Sequence, residues 1–505
     1  MLTHGHHTTY TMLKKQTIKH PEKDFVIFGD CHRTYTSMLQ RVNQLAHWLT
    51  QQGINKGDVV AVFLGNSPLF YEAWLACGAI GAVLLPINTA STASELDYFL
   101  EHSESKGFIY EKELVDASHI KTAGQRNLAF CQDSDLAWSE ELSLLSAENI
   151  DCAVTPADVA AIMYTSGTTA KPKGVLITHE NYLFAGHSSV LYQQLTPADR
   201  YFIFLPLFHV NSQYYTSMAM LVCGGTIVLE QRFSSSTFWD TVAKHQPTVS
   251  SLTATIIKML LETPIQANEK PNSIRQAAYG LQVTVDDLDK FQQRFGIKLF
   301  QWYGLTESIT SNIVTPLYEE MPTDPKTGIY AIGKAALGHQ VKILDEDGQE
   351  LPPLAVGEIV LTGPSLMKGY YKNPEATAKT LQNGWLFTGD NGYINSDGFI
   401  WFVDRNKDMI KRAGENISSM EIENILSGHP AVQACAVVGE PDHLREEAVI
   451  AYIKIYEGQQ VTDDELRQFC EQYLSYFKVP QEFRVIDDFP RTSIGKIQKN
   501  LLRNK

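Results

Sequence analysis

Residues 164–175 read YTSGTTAKPKGV, and the setting of this stretch among its neighbours decides the fold. Thr165, Ser166, Gly167, Thr168 and Thr169 put hydroxyl side chains or glycine at five successive positions, and Lys171, Pro172, Lys173 and Gly174 follow at once. The loop offers many donors and no carboxylate. Backbone N–H groups freed by glycine, side-chain hydroxyls and two ammonium groups form a nest for polyphosphate, because each donor can face an anionic oxygen. A solvated Ser/Thr/Gly turn is the competing reading, and it leaves the apolar runs on both sides unexplained.

Working outward, residues 160–163 (AAIM) predict a buried strand, residues 175–177 (VLI) a second one, and Thr178 is placed to cap a helix beyond. The loop therefore joins two strands. A Walker loop runs G-x-x-x-x-G-K-[ST] directly into a helix, whereas Gly174 is followed here by Val175, so the helix-dipole form of phosphate binding and the P-loop NTPase class are excluded. The string resembles the signature loop of the acyl-adenylate-forming superfamily, which includes acyl-CoA synthetases, luciferases and peptide-synthetase adenylation domains. Ala170 departs from it, standing where the family usually has Gly.

A chain of 505 residues exceeds the usual size of one core, so at least two domains are expected. With 57 acidic against 42 basic residues the net charge is -15, which repels nucleic acid and anionic membranes at long range. An anionic substrate must then be drawn in by a local basic cluster, which makes the loop lysines more informative than the total. Cys31, Cys77, Cys131, Cys152, Cys223, Cys435 and Cys470 are scattered without C-x-x-C spacing, so neither a disulfide framework nor a zinc site follows. The N-terminus, MLTHGHHTTYTMLKK, has no apolar core of signal-peptide length, and His4, His6 and His7 read as a polar tail. The longest apolar run, 73–87, is short of a membrane span and carries Pro86, so no integral membrane segment and a cytoplasmic location are expected.

From Thr34, Leu39, Val42, Leu45, Ala46 and Leu49 fall at helical spacing. Strands at 59–64, 82–87 and 107–110 then alternate with helices at 69–81 and 93–102, which implies a mostly parallel, doubly wound sheet. Residues 111–158 read as irregular. A helix over 179–195 leads to a strand over 201–207 that ends at Phe208-His209-Val210-Asn211. A histidine at the C-terminal edge of such a strand lies where ligands bind, although a satisfied core histidine fits the spacing as well. A strand at 226–229 and helices at 235–245 and 253–261 imply a second sheet subdomain. Tyr279-Gly280-Leu281-Gln282 and the strand 298–301 running into Trp302-Tyr303-Gly304-Leu305-Thr306-Glu307 bring aromatic and glycine residues that could sandwich a purine. Asp347-Gly348, Asn383-Gly384, Asn391-Gly392 and Asp397-Gly398 then mark antiparallel hairpins. A boundary falls between Asp404 and Arg405, dividing an N-terminal domain, 1–404, from a small α/β lid domain, 405–505, in which Thr462 and Glu465 form a capping box.

The resemblance extends over nearly the whole chain and is similar in look to carnitine and crotonobetaine CoA ligases, notably in FVDRNKDMIKRAGENIS, LREEAVIAY and FCEQYLSYFKVP. It implies a large N-terminal domain of two doubly wound α/β subdomains plus a β-rich subdomain, and a small mobile C-terminal domain that swivels between two half-reactions. It also implies ATP, Mg²⁺ and coenzyme A as cofactors and a small carboxylic acid as substrate, with no nucleic acid; a homodimer is the oligomeric option kept open. Carried over residue by residue, Tyr303 stacks on adenine, Thr306 touches the α-phosphate, Glu307 holds Mg²⁺, and Asp390 in Thr388-Gly389-Asp390 accepts from both ribose hydroxyls. Gly280, Leu281, Gln282, Trp302 and Gly304 complete the nucleotide pocket. Arg405 meets the ribose, Lys407 is the hinge, Ala413 and Gly414 border the pantetheine tunnel, and Lys411 is grouped with these cofactor-binding residues. His209 gates the acid pocket; amino-acid-activating relatives carry an Asp there, so an α-amino acid is disfavoured. Lys496, in Pro490-Arg491-Thr492-Ser493-Ile494-Gly495-Lys496, binds the acid's carboxylate and the α-phosphate.

An acid:CoA ligase is the leading reading. A stand-alone enzyme that loads a carrier protein is the alternative, and a non-catalytic nucleotide sensor is disfavoured by Lys496, Glu307 and Asp390 occurring together. Tyr214, Tyr215 and Trp302 are candidates for an aromatic box around a trimethylammonium group, or for the lining of a fatty-acid or aryl-acid pocket.

Overall fold

The two flanks of the opening loop, strands Val159–Thr165 and Lys173–Thr178, pair antiparallel with Thr165 opposite Lys173 and Met163 opposite Val175. The chain thus doubles back across the loop. A helix begins only after the second strand, where the Thr178 side chain accepts from Asn181 N–H and the Asn181 side chain accepts from Thr178 N–H. The computed structural model describes residues 7–111, 114, 129–132, 141–165, 172–280, 283–324, 328–412, 415–443, 445–492 and 495–503. Ser166, Gly167, Thr168, Thr169 and Lys171 at the loop tip, together with Leu281, Gln282, Ala413 and Gly414, lie outside the described residues.

This strand pair belongs to a seven-stranded sheet ordered Gly369–Tyr370, Lys173–Thr178, Val159–Thr165, Val83–Pro86, Val59–Phe63, Gly107–Tyr110, Ala129–Gln132. Its pairs from Val159–Thr165 through to the Ala129–Gln132 edge are parallel, as the strand–helix alternation predicts. The edge strand lies within the stretch read as irregular. Four residues, ending in a polar one, are too short to carry an alternating signal.

A second, nine-stranded sheet runs Lys334–Ala335, Ile313–Val314, Lys298–Tyr303, Gln276–Gly280, Val249–Thr253, Arg200–Ile203, Thr226–Leu229, Asp24–Phe28, Cys31–Thr34. The strand expected to reach residue 207 stops at Ile203. Pro206 has no N–H for a ladder, and the Asn66 amide takes over: its Nδ2 donates to the carbonyls of Leu205 and Glu230, and its Oδ1 accepts from Leu207 N–H. A π-helix, Asn211–Ser217, follows and continues as the α-helix Met218–Cys223. Between the sheets one core runs through tilted and edge-on aromatic side chains, with Trp74 against Tyr182 at 5.0 Å and Tyr182 against Tyr214 at 5.5 Å between ring centroids. Such rings bury the largest apolar areas available to a core.

The third sheet is antiparallel: Gln340–Leu344, Gly357–Thr362, Trp385–Ile394 and Leu381–Gln382, with Ile400–Arg405 also on Trp385–Ile394. Gly348, Gly384 and Gly398 turn with φ of +77°, +81° and +83°, as expected. Asn391-Gly392 does not turn. It sits inside Trp385–Ile394 at a bulge, and Gly392 is needed there because a Cβ would stand 2.4 Å from the Trp401 carbonyl oxygen.

The last sheet orders Glu415–Ile417, Ile410–Arg412, Glu446–Ile455 and Val432–Asp442, with Glu482–Val485 on Glu446–Ile455. Helices Ser419–Ser427 and Asp463–Glu471 close its core through Ile422, Leu426, Leu466 and Cys470, and Thr462 with Glu465 forms the capping box. Helix Ala254–Glu262 of the second sheet layer reaches this lobe, where Lys258 Nζ donates to the Gln433 carbonyl at 2.6 Å and Tyr456 Oη to Glu262 Oε1 at 3.1 Å. Among the described residues no helix is long and apolar enough to cross a membrane.

Candidate active site

Strands Trp385–Ile394 and Ile400–Arg405 pair with Asp390 opposite Arg405, which sets the guanidinium beside the carboxylate, Nε to Oδ1 at 3.5 Å. Tyr303, the last residue of Lys298–Tyr303, donates its hydroxyl to Asp390 Oδ2 at 2.7 Å. Asp390 is buried. Burial pushes its carboxyl above the usual carboxylate range, opposed first by Arg405, then by the Tyr303 hydroxyl, and then by Lys496 and Lys407.

Lys496 arrives from the other lobe on a tight hairpin. Thr492 N–H donates to the Lys496 carbonyl at 2.7 Å, Lys496 N–H donates to Thr492 Oγ1 at 3.1 Å, and Gly495 turns the chain at φ +82°. Burial, then the neighbouring Arg405, pushes the Lys496 ammonium down to about 7, while Asp390 and Asp408 pull the other way. Four cations, Arg405, Lys407, Lys496 and Arg503, thus surround two carboxylates, Asp390 and Asp408, with Arg503 3.4 Å from Asp408. In a chain of net charge -15 this local surplus of positive charge is the feature an anionic ligand requires.

Glu307 follows Tyr303 by one turn. Tyr370 donates to its Oε1 at 2.8 Å, and Lys173 Nζ lies 4.5 Å from the centre of the Tyr370 ring. The pairing of Gly369–Tyr370 with Lys173–Thr178 makes this juxtaposition. Burial raises the Glu307 carboxyl, against the Tyr370 hydroxyl and Lys173. Tyr370 is missing from the sequence reading, and Gly369-Tyr370-Tyr371 offers no chemical signal of its own. Among the described residues no group of three or more His, Cys, Asp or Glu side chains could hold a metal. A single carboxylate fits Mg²⁺ that brings its remaining ligands as water and phosphate oxygens, and so arrives with a nucleotide.

Thr306 lies half-buried on the turn with Glu307, and Thr165 donates to the Lys173 carbonyl at 3.5 Å. Trp302 points to the opposite face of its strand from Tyr303 and packs on Tyr215, with ring centroids 4.8 Å apart, which sets it apart from the Asp390 cluster. His209 has a buried Nδ1 without a partner, and burial pushes its imidazole down to about 4, so it is neutral. Lys411 is exposed on the small lobe's own sheet and is not drawn into the cluster; its backbone N–H donates to Glu447 Oε2. A Cβ on Gly304 would stand 2.3 Å from the Thr310 carbonyl oxygen and 2.8 Å from Tyr215 Oη. Gly304→Ala is therefore expected to lower unfolding stability by about 1–3 kcal/mol through overpacking, read from the shift in a denaturant midpoint; an unshifted midpoint would show that the backbone yields freely.

Residues 13–371 match the AMP-binding enzyme family, and residues 421–496 match the C-terminal domain of AMP-binding enzymes. The chain belongs to the AMP-binding enzyme family. Among curated members of that kind, the crotonobetaine/carnitine–CoA ligase of Salmonella arizonae is 35% identical over 502 residues, covering 95% of this chain and 96% of that one. Among solved structures, ATP-bound MatB from Rhodopseudomonas palustris has a TM-score of 0.91 at 27% identity, covering 99% of this chain and 98% of its own. The apo form of MatB has a TM-score of 0.80 at the same coverage. O-succinylbenzoate CoA synthetase (MenE) from Bacillus subtilis, in complex with ATP and magnesium ion, has a TM-score of 0.86 at 30% identity, covering 99% of this chain and 100% of its own. This family member shares with them the α/β architecture of a large N-terminal part and a smaller C-terminal one.

Proposed function

We propose that the two lobes stand as they do when an acid is joined to ATP, with Lys496 as the cation that meets both anions. The activity is ATP-dependent ligation of a carboxylic acid to coenzyme A through an acyl-adenylate. In the first half-reaction a carboxylate oxygen bonds to the α-phosphorus of ATP, the α–β bridging P–O bond breaks, and pyrophosphate leaves. No proton moves, so the barrier is the approach of two anions. Positioned positive charge in a water-poor site is the largest available remedy. Bound Mg²⁺ supplies further charge neutralisation at the phosphates. In the second half-reaction the thiol sulfur of coenzyme A attacks the acyl carbon, the bond to AMP breaks, and the thiol proton is lost to solvent.

The observation that carries this reading is the place of Lys496: a residue of the small lobe, in electrostatic reach of Asp390 and Arg405 on the strand pair of the large one. The higher TM-score against ATP-bound than against apo MatB supports the same lobe orientation. Within it we assign Asp390 and Arg405 to the ribose, Tyr303 to the adenine, Thr306 and the 165–173 loop to the phosphates, Glu307 to Mg²⁺, and His209 to the acid side. Lys407 is assigned as the hinge, with Lys411, Ala413 and Gly414 awaiting the coenzyme A orientation. A division near Asp404 is supported by the cores, since Phe402 packs with the large one and the small one begins at Ile410, while Arg405 still pairs on the large lobe's strand. A cytoplasmic site and a partner set without nucleic acid are supported by the acidic balance and by the free thiols at Cys31, Cys77, Cys152, Cys223, Cys435 and Cys470.

The test is AMP and pyrophosphate release with ATP, Mg²⁺, coenzyme A and a panel of acids, crotonobetaine and carnitine included because the Salmonella relative bears their names. Release that needs both acid and coenzyme A is expected; its absence with every acid would end the reading. A pH dependence accompanies it. With its ammonium at about 7 in the free protein, Lys496 is charged below that pH and loses its charge as pH rises through it. The kcat/KM for acid-dependent pyrophosphate exchange should then fall by about tenfold per pH unit on the alkaline side. Lys496→Arg should remove that limb; a limb that persists in the arginine variant belongs to another group.

A further inference from the structure

The π-helix Asn211–Ser217 lies across the C-terminal ends of parallel strands. Asn211 Nδ2 donates to Ser251 Oγ at 2.9 Å on Val249–Thr253, and Tyr215 packs on Trp302 of Lys298–Tyr303. Between those strands, Gln276–Gly280 ends on a glycine that pairs with Thr253, and no atom of a described residue lies within 4 Å of the position its Cβ would take. Tyr279 pairs with Gln301, so Gly280 stands next to Trp302 and shares its sheet face, the face the π-helix covers. Among the described residues a space is therefore left at Gly280, with Asn211 and Ser251 on one side and Tyr215 and Trp302 on the other.

The return strand adds the remaining wall. Tyr303 pairs with Ile313, so Asn312 stands beside Gly304 and on the face of Trp302, where the close approach of Tyr215 Oη to Gly304 brings the hydroxyl alongside. Asn312 is fully buried, and neither atom of its amide has a hydrogen-bond partner. Thr310 Oγ1, Ser311 Oγ and Asn211 Oδ1 are likewise buried without partners. Buried polar atoms are ordinarily paired, and the run of exceptions from Thr310 to Asn312, beside the face that carries Trp302 and Gly280, marks a place where a ligand's polar group would supply a missing partner. None of these side chains carries charge. An anionic tail would find no cation in this set, and a trimethylammonium group would find neither a carboxylate nor a cage. Tyr215 and Trp302 touch each other at 4.8 Å, and Tyr214 packs edge-on against both Tyr215 and Tyr182 with its hydroxyl on Met163 Sδ, so the three rings pack on one another rather than around a gap. An apolar tail would leave the amide of Asn312 unpaired.

Resting on the ligase reading above, we infer that the acid this enzyme activates carries an uncharged hydrogen-bonding group, a hydroxyl, carbonyl or amide, a few bonds from its carboxylate, received by Asn312 with Asn211 and the 310–311 hydroxyls. Asn312 is the residue that discriminates.

The experiment compares 4-hydroxybutanoate, butanoate, succinate and 4-(trimethylammonio)butanoate as substrates for AMP release by the full chain with ATP, Mg²⁺ and coenzyme A. The hydroxy acid should exceed butanoate in kcat/KM by about a hundredfold or more, because a site built to pair a hydroxyl rejects the analogue without one. Both charged acids should fall below it. Asn312→Leu should shrink the hydroxy/butanoate ratio at least tenfold, in a protein whose thermal shift with ATP shows it folded. Asn312→Asp should raise the trimethylammonio acid relative to the hydroxy acid, which a merely structural residue would not do. Preference for butanoate or for either charged acid in the unaltered enzyme, or a ratio unmoved by Asn312→Leu, overturns the inference and leaves the ligase reading standing. AMP release with no acid of this set or of the wider panel overturns the ligase reading itself.

Discussion

Lys496→Ala is expected to lower acid-dependent pyrophosphate exchange by about a thousandfold while largely sparing thioester formation from supplied acyl-adenylate. The split follows from the charges. Burial first, and then Arg405 and Lys407, lower the proton affinity of the ammonium against the pull of Asp390 and Asp408, and an incoming anion would favour its charged form further. Joining carboxylate to phosphate brings two of them together, whereas the thiol step is attack on the uncharged acyl carbon of a mixed anhydride that already holds its single phosphate anion. Removing the amine also relieves Arg405 of a like-charged neighbour, so the fold should tolerate the change, and a thermal melt within a few degrees of the parent serves as the control. Equal loss of both half-reactions would refute the role given to Lys496.

Asp390→Ala is expected to raise the KM for ATP by about a hundredfold, and with it the pH optimum should move to more acid values. The first effect is loss of the carboxylate that faces Tyr303 and Arg405. The second has a definite sign: Asp390 is one of the two groups that favour the charged form of Lys496, so without it the ammonium gives up its proton at still lower pH. Asp390→Asn separates the two. It keeps an acceptor for Tyr303 and removes the charge, so it should reproduce the acid shift with a smaller change in KM. A KM for ATP that is indifferent to both substitutions would remove Asp390 from the ribose.

Much of this was legible in the chain. Residues 164–175 announce two strands joined by a loop, and the capping pattern at Thr178 is where the next helix starts. Helix Ala93–His102 and strand Gly107–Tyr110 have the bounds their periodicity predicts. Other elements were overlooked for identifiable reasons. Strand Val249–Thr253 reads VSSLT, and its two serines mask a fully buried strand because one bonds to the Phe202 carbonyl and the other to Asn211. Helix Val285–Phe295 buries only Leu288, Phe291 and Phe295, a thin stripe in a run of charged and amide side chains. The polar residues of the π-helix and the return strand were the least legible. Asn211, Thr310, Ser311 and Asn312 look like loop residues in the sequence, and only the π-helix and the strand pairing at Tyr303 and Ile313 bury their polar atoms. Burial made by long-range pairing leaves no local period to read.

Lys258 and Glu262 reach the small lobe through one backbone carbonyl and one tyrosine hydroxyl, and Asp404 reaches it through Ser419. On the ligase reading proposed above, the place of Lys496 on a hairpin of that lobe has a kinetic meaning. A single lysine serves one chemical event at a time, so a lobe turned away for the thiol step would leave no fresh nucleotide to be consumed. The hairpin would then act as a form of timekeeping that ties each ATP to one finished product.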